Sequence, residues 1–364
     1  MKRGSRVINR EDFTPLYAQV YEELKKDLVQ YPTGSNLPPE RILCKQYSVD
    51  RVTVRKALYM LAEEGYIERR QGRGTKVVCH EAKSVGTVVF FLSQGKNRTD
   101  RIGEPFYARS YDALEEQLQV IGKRLIYSKL LPDDDIAELC RNLEAQAVIL
   151  SCTPDDPVLE ECKKVGLPIV CYNTCIDGLP SVTVDNDSAA AVSARYLLGH
   201  GHRNIGFIHV PGYVNSELRL NRYKIEIENS GVPGARLQIA EGDWTEEGGY
   251  RAAKELLSAG GSEITAVFGG NDSMAIGAMR AARDLGLRVP EDISIVGFDG
   301  ISQSAITSPP LTTLKVDLDS MAESTCMIIE HILTRRSAMD INVLVSAGLI
   351  VRGSVAEAND NNIE

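Results

Sequence analysis

Nowhere in the chain does an apolar run approach the roughly 20 residues that a membrane-spanning helix needs, so a helical membrane protein is excluded. The N-terminal segment MKRGSRVINRED carries cations with no apolar stretch behind them. No secretory signal is read there, and residence in the cytoplasm is expected. Cysteines stand at 44, 79, 140, 152, 162, 171, 175 and 326 without a CxxC pair or a histidine cluster beside them. That spacing argues against a zinc site or a disulfide frame, and inert thiols are expected, with Cys171 and Cys175 the only close pair. Also missing are a GxGxxG after the first strand of the body, a phosphate loop and a GxSxG elbow. His80, His200, His202, His209 and His331 show no spacing with a nucleophile. The chain therefore nominates no catalytic or metal-binding residue and no cofactor, and an enzyme acting on a sugar or nucleotide is a thinly supported rival.

What is present is ordinary for a soluble globular protein, 43% hydrophobic and 25% charged, over 364 residues, enough for more than one domain. The charge is unevenly placed. Residues 1–83 hold 16 Lys plus Arg against 11 Asp plus Glu, a balance of +5, while the rest hold 25 against 39, a balance of −14. A basic head precedes an acidic body, the asymmetry expected when one part meets phosphates and the other must not.

In the head, residues 13–30 read as a helix capped by Thr14, with Pro15 at its first position and Tyr17, Tyr21, Leu24 and Leu28 along one face. A short second helix is expected from Pro39 to Tyr47. Ser48 and Val49 then turn the chain before Asp50 caps a third helix. On that third helix Val54, Ala57, Leu58 and Leu61 share an inward side, leaving Arg51, Val52, Arg55 and Lys56 outward. After Gly65, YIERR and TKVV read as two strands joined by a tip of Gln71, Gly72, Arg73 and Gly74. A charged helix face alone is more readily a solvated surface. Joined to a small basic wing it is suited to a DNA groove, where a bidentate arginine contact is worth roughly 1–3 kcal/mol of discrimination.

The segments LPPER, VDRVTVRKALYML and EGYIERRQGRGT, within about 65 residues from Thr14 to Val78, resemble the winged helix of GntR-family bacterial regulators. That resemblance implies DNA contacts at Arg41, Arg51, Thr53, Arg55, Gly72 and Arg73. Pro39 stands where the family usually has serine. Asp50 replaces a serine or threonine, keeping the capping role while bringing a negative charge close to DNA.

From Val85 onward short apolar strands alternate with helical stretches, which implies parallel sheets in an α/β architecture of two lobes. Ligands of such sheets bind beyond the carboxyl ends of the strands. Polar residues fall there: Ser93, Gln94, Ser151, Thr153, Asp185, Asn186, Asn271, Asp272, Asp299 and Gln303. Each alone is also ordinary loop or cap chemistry. Together they suit a polyhydroxylated ligand, whose hydroxyls want donors and acceptors.

The strings PFYARSYDALEEQLQ, VDNDSAAAVSARYLLGHGHRNIGFI, GDWTEEGGYRAA, AVFGGNDSMAIGAMRAARDLGLRVPEDISIVGFDG and PPLTTLKVD resemble the effector-binding body of LacI/GalR regulators, itself similar to type I periplasmic sugar-binding proteins. The resemblance implies three crossings between lobes near 203, 314 and 340. It places effector contacts at Phe106, Tyr107, Arg219, Trp244, Asn271 and Asp299, with Trp244 stacking on the ligand. Arg222 stands where glycine is usual, which implies altered helix packing and an atypical pocket rim. Residues 79–84 lack the small apolar pattern of the LacI hinge helix, so that family's hinge-folding mechanism does not carry over.

The expected organisation is a winged helix-turn-helix at 1–78, a linker at 79–84, a ligand-binding and dimerisation body at 85–356 and a polar tail at 357–364. Lobe one takes about 85–202 and 315–339, and lobe two about 203–314 and 340–356. A GntR-type head on a LacI-type body resembles the architecture of the arabinose repressor of Gram-positive bacteria. The function it implies is a homodimeric regulator, expected to be a repressor of carbohydrate-utilisation genes, that binds a pseudo-palindromic double-stranded operator. Its expected effector is a monosaccharide or derivative, with a nucleobase as the alternative.

Overall fold

The structure is a computed structural model that describes residues 15–70, 74–78, 86–93, 101–130, 134–259, 263–335 and 341–358. They belong to two compact units, Met1–Gly86 and Thr87–Glu364. The first unit holds α1 (Leu16–Leu28), α2 (Glu40–Tyr47) and α3 (Arg51–Glu63), followed by the antiparallel strands β1 (Ile67–Arg70) and β2 (Gly74–Val77). Pro15 and Pro39 do not open α1 and α2 from within. Each stands at the N-cap with an extended ψ, 137° and 148°. Their carbonyls accept the first helical N–H groups, from Ala18 and Gln19 in one case and Ile42 and Leu43 in the other. A proline with no N–H of its own suits that place. Thr14, expected to cap α1, and Gly72 and Arg73 at the wing tip lie outside the described residues.

The core of this unit joins Val20, Tyr21, Leu24 and Leu28 of α1 to Val54, Ala57, Leu58 and Leu61 of α3, with Leu43, Tyr47, Ile67 and Val77 closing it. Beneath it the buried Asp27 accepts a hydrogen bond of 2.8 Å from the Tyr47 hydroxyl. Ser48, with φ 54°, ends α2 in the left-handed region, and Asp50 caps α3 by accepting from the Thr53 N–H at 2.9 Å. A tight helix-turn-helix results.

The second unit carries two six-stranded sheets. Lobe one begins with β3 (Gly86–Leu92), α4 (Pro105–Val120), β4 (Lys123–Lys129), α5 (Ile136–Asn142) and β5 (Ala145–Ser151). It continues through α6 (Pro157–Val165), β6 (Ile169–Tyr172), β7 (Ser181–Val184) and α7 (Asn186–Gly199). Lobe two follows with β8 (Asn204–His209), α8 (Val214–Asn229), β9 (Arg236–Glu241), α9 (Glu246–Ala259) and β10 (Ala266–Phe268). Then come α10 (Asp272–Asp284), β11 (Ser294–Asp299) and β12 (Thr312–Val316). The chain returns to lobe one as α11 (Leu318–Arg335) and β13 (Asn342–Val345), and ends in lobe two with β14 (Ala347–Ile350).

The sheet orders are β13-β7-β6-β5-β3-β4 and β14-β12-β11-β10-β8-β9. In both, the first strand of the lobe lies inside, between its second and third. This is the doubly wound arrangement that opens a crevice at the strands' carboxyl ends. The expectation of parallel sheets holds except at β14, which runs antiparallel to β12. The last crossing falls at Ser346 rather than near 340, because β13 extends lobe one's sheet by pairing in parallel with β7, Val343 opposite Val182 and Val345 opposite Val184. Helices α6 and α11 were not read from the sequence pattern. His202, in the turn before β8, is structural: its Nε2 donates to the Ala356 carbonyl at 3.1 Å, leaving Nδ1 to face the Thr265 hydroxyl at 2.9 Å. Burial pulls its pKa down to about 4 despite that carbonyl.

Candidate ligand cleft and nucleic-acid interface

The carboxyl ends of the strands from both lobes enclose one cavity. Lobe one contributes Arg101, Glu104, Phe106 and Tyr107 beyond β3, Ser151 at the end of β5 and Thr153 beyond it, and Asn173 beyond β6. Lobe two contributes Tyr213, Asn215 and Arg219 beyond β8, Trp244 beyond β9, Asn271 and Ser273 beyond β10, and Asp299 at the end of β11. All six residues nominated for the ligand, Phe106, Tyr107, Arg219, Trp244, Asn271 and Asp299, line this space.

Arg219 is 4% exposed. Its Nε donates to Asn186 Oδ1 at 2.7 Å and its Nη1 to the Gly270 carbonyl at 2.6 Å, and its guanidinium lies 3.4 Å from the centroid of Phe298. Burial lowers it to about 10, opposed by Asp299 and Asp272, so it stays cationic at neutral pH. Asp299 faces it, and burial raises that carboxyl well above the usual range, with Arg219 pulling the other way. Asp272, outside the lining, accepts from Thr313 Oγ1 at 2.5 Å and from the Ile301 N–H at 2.8 Å, and burial pushes it up to about 7.

Three non-glycine residues of the lining have positive φ: Asn173 at 56°, Trp244 at 70° and Asp299 at 109°. Such backbone costs of order 1–3 kcal/mol per residue and clusters at functional sites. Trp244 stands edge-on to Tyr213 at 5.6 Å, and its indole Nε1 is buried with no hydrogen-bond partner. Asn271 is committed within the protein, its Oδ1 capping α10 through the Met274 N–H and its Nδ2 donating to the Trp244 carbonyl at 3.1 Å. Its amide thus holds the backbone of Trp244 in the wall.

Residues that the sequence reading passed over complete the wall. Tyr107 Oη receives Arg101 Nη2 at 2.9 Å and Asn173 Nδ2 at 3.2 Å, and lies 3.0 Å from Ser151 Oγ. Asn215 Nδ2 crosses between the lobes to the Asn173 carbonyl at 3.0 Å, and its Oδ1 accepts from Asn186 at 3.2 Å. Tyr213 and Asn215 follow an apolar strand just as the nominated residues do, so the same positional rule would have found them. Among the other polar positions, Ser93 is turned to Asp156, Asp185 caps α7 and Gln303 is exposed and bonded to Ser302. Gln94 lies outside the described residues. Arg222, expected to alter the pocket rim, does not line it. It pairs with Asp187 at 3.3 Å and Glu226 at 2.9 Å along the seam of α7 and α8.

In the first unit, Arg51, Arg55 and Arg69 converge on one carboxylate. Glu40 accepts from Arg51 Nε at 2.7 Å, Arg55 Nε at 3.1 Å and Arg69 Nη2 at 2.9 Å. Burial would raise the Glu40 carboxyl, but Arg51 and Arg55 hold it below its ordinary value. Arg51 and Arg55 are held through Nε with most of each side chain exposed, whereas Arg69 is held at its Nη2 tip and is 38% exposed. Arg41 is exposed beside them on α2. Thr53 spends its hydroxyl on Asp50 at 2.8 Å. Lys56 lies 3.6 Å over the Tyr17 ring. Glu40 and Arg69 were not nominated from the sequence.

Residues 16–77 match the family model for bacterial regulatory proteins of the gntR family, and residues 194–355 match the periplasmic binding protein-like domain. The chain is similar to the HTH-type transcriptional repressor PurR of Klebsiella pneumoniae, 30% identical over 69% of this chain and 76% of that protein. It is also similar to catabolite control protein A of Priestia megaterium, 28% identical over 79% and 86% respectively. Among solved structures, a LacI family transcriptional regulator from Enterococcus faecium with bound ribose has a TM-score of 0.66 at 22% identity, over 75% of this chain and all of that one. The transcriptional regulator CelR in complex with cellobiose has 0.67 at 22%, over 87% and 100%.

Proposed function

The chain belongs to the LacI family of DNA-binding transcriptional regulators with a GntR-type head, and from that premise we propose that it is a cytoplasmic homodimeric repressor released or engaged by a small polar effector bound in the cleft. One observation carries the reading. Residues from seven strand ends in two lobes, including a buried arginine, an unpartnered indole N–H and a strained aspartate, converge on one cavity. Such a wall of ring faces and directional donors and acceptors suits a monosaccharide or derivative. Its aromatic share, Phe106, Tyr107, Tyr213 and Trp244, also accommodates a nucleobase as the second reading. Arg41, Arg51, Thr53, Arg55, Gly72 and Arg73 are the proposed DNA contacts, with Glu40 arranging Arg51 and Arg55. The relatives are regulators, and no catalytic role is assigned to any residue.

A ligand acts on DNA binding only through its different affinity for two arrangements of the molecule. Here hydrogen bonds span the lobes, from Asn215 to Asn173 and from Arg219 to Asn186. A bound effector would strengthen or replace those bonds. The test is a thermal-shift panel of pentoses, hexoses, their phosphates and nucleobases, followed by operator binding with and without each hit. A ligand at about 100 times its Kd adds roughly 2.7 kcal/mol of stability. A hit that Asp299→Ala binds as well as the parent does would remove this cavity as its site.

A further inference from the structure

Resting on the reading of the cleft as an effector site, we infer that the effector carries an anionic group, a carboxylate or a phosphate, and that Arg101 receives it. Arg101 precedes α4 in the turn Arg101–Gly103, and its side chain is 13% exposed within the cavity wall. A guanidinium carries five N–H donors. Arg101 uses Nη2 on the Tyr107 hydroxyl at 2.9 Å and points Nε at Glu104 Oε1 across a long 3.4 Å. No further hydrogen bond holds it among the described residues. Its flat faces are held instead by rings from both lobes, 4.6 Å from the centroid of Tyr107 and 5.9 Å from that of Tyr213. Burial disfavours its charge, but the Tyr107 and Glu104 oxygens beside it outweigh that and hold the guanidinium cationic, its remaining N–H groups lying in the cavity wall.

Arg219 shows the contrast. It is bonded at 2.7 and 2.6 Å and stacked on Phe298, so its place is largely filled by the protein. The other charged groups of the lining are Glu104 and Asp299, each already opposite a guanidinium. The lining thus balances two cations against two carboxyls, and what sets Arg101 apart is that three of its five N–H groups meet no partner among the described residues. Glu104 also stands at the N-cap of α4 without making a cap bond. The first-turn N–H groups of Phe106 and Tyr107, both residues of the lining, are therefore not covered by it, and the positive end of a 16-residue helix adds to the field beside Arg101. A planar carboxylate or a phosphate can take two parallel N–H bonds from one guanidinium, which a hydroxyl cannot.

The experiment uses the full chain and sets of matched compounds: D-glucose, D-glucuronate and D-glucose 6-phosphate; D-galactose, D-galacturonate and D-galactose 6-phosphate; D-ribose and D-ribose 5-phosphate. Affinities come from calorimetry and are cross-checked by thermal shift. The expected result is that at least one acid binds about tenfold or more tighter than its neutral parent, the worth of one charge-assisted contact. Arg101→Gln should bring the ratio of acid to neutral affinity to about one, whatever it does to the neutral parent, and Arg101→Lys should retain part of the preference. The carboxylate and phosphate arms show which anion is preferred. A neutral sugar that binds as tightly as its acids, with binding lost in Arg219→Ala, overturns the anion while leaving the cleft reading intact. An acid that binds Arg101→Gln with parental affinity overturns the role of Arg101. Silence from every compound, neutral and acidic, overturns both.

Discussion

Arg219 of lobe two donates to Asn186 of lobe one across 2.7 Å, so a residue of the cavity wall is also a fastener between the lobes. A change at this side chain therefore reaches both the cavity wall and the contact between the lobes. Arg219→Met keeps the aliphatic stem but leaves Asn186 Oδ1 and the Gly270 carbonyl without their donor. It should lower stability by roughly 2–4 kcal/mol and abolish the effector response. Asn186→Ala should weaken effector binding with a smaller loss of stability. Thermal melts and effector dose curves on operator binding check both, and an unchanged dose curve in Arg219→Met would remove that residue from the site.

Glu40 links Arg51 and Arg55, two of the proposed DNA contacts, to each other and to Arg69. Arg51→Ala and Arg55→Ala should abolish operator binding while effector affinity stays parental. Glu40→Gln should do something different. It removes a negative charge from a basic surface and loosens the arginines, so non-specific DNA should bind tighter while discrimination falls by roughly 1–3 kcal/mol, the worth of one oriented bidentate contact. Operator and scrambled duplex titrated over a range of salt distinguish these outcomes. Equal discrimination in Glu40→Gln and the parent would show that Glu40 does not organise the array.

Two buried groups should give opposed pH dependences of stability. His202 titrates near 4 when folded, against about 6.5 unfolded. The unfolded chain thus binds its proton first, and stability present above 6.5 is lost as pH falls towards 4. Asp272 titrates near 7 when folded, against about 3.9 unfolded. The folded chain binds its proton first, so stability is gained as pH falls from 7 towards 4. At about 1.4 kcal/mol per unit, each is worth on the order of 3–4 kcal/mol and they nearly cancel. Relative to the parent, Asp272→Asn should lose stability on acidification from pH 7 to 4.5 and His202→Gln should gain it. Melting temperatures over that range test the signs. Parallel curves for the two variants would contradict both assignments.

Trp244 is the chain's single tryptophan and lies in the cavity wall. Any ligand of the cleft should change the protein's tryptophan emission. Trp244→Phe keeps a ring but deletes the unpartnered N–H, and should weaken the effector roughly three- to tenfold, the worth of one neutral hydrogen bond. A compound that binds tightly without altering emission would be bound elsewhere.

Much of this was legible in advance because parallel strands expose their purpose at their ends. Polar residues after apolar runs led to Ser151, Asn271 and Asp299, and the helical spacing of Val54, Ala57, Leu58 and Leu61 gave the inner face of α3. Arg101 and Glu104 escaped because they sit in an aperiodic turn. Glu40 escaped because its three arginines lie 11, 15 and 29 residues away and meet it only once α3 and β1 have packed. The late crossing at Ser346 escaped for a similar reason. Four residues of alternating burial can join either sheet, and only pairing with β7 decides which.

That crossing is one of three that join the lobes. One residue, Ser346, separates β13 at the edge of one sheet from β14 at the edge of the other. One residue, Asp317, separates β12, the neighbour of β14, from α11. The first crossing, residues 200–203 between α7 and β8, is also short, and it enters the second sheet beside β9 at the opposite edge. All covalent connection between the lobes thus runs through three links of four residues or fewer, and any change in the angle between the lobes has to be taken up by the backbone of those few residues.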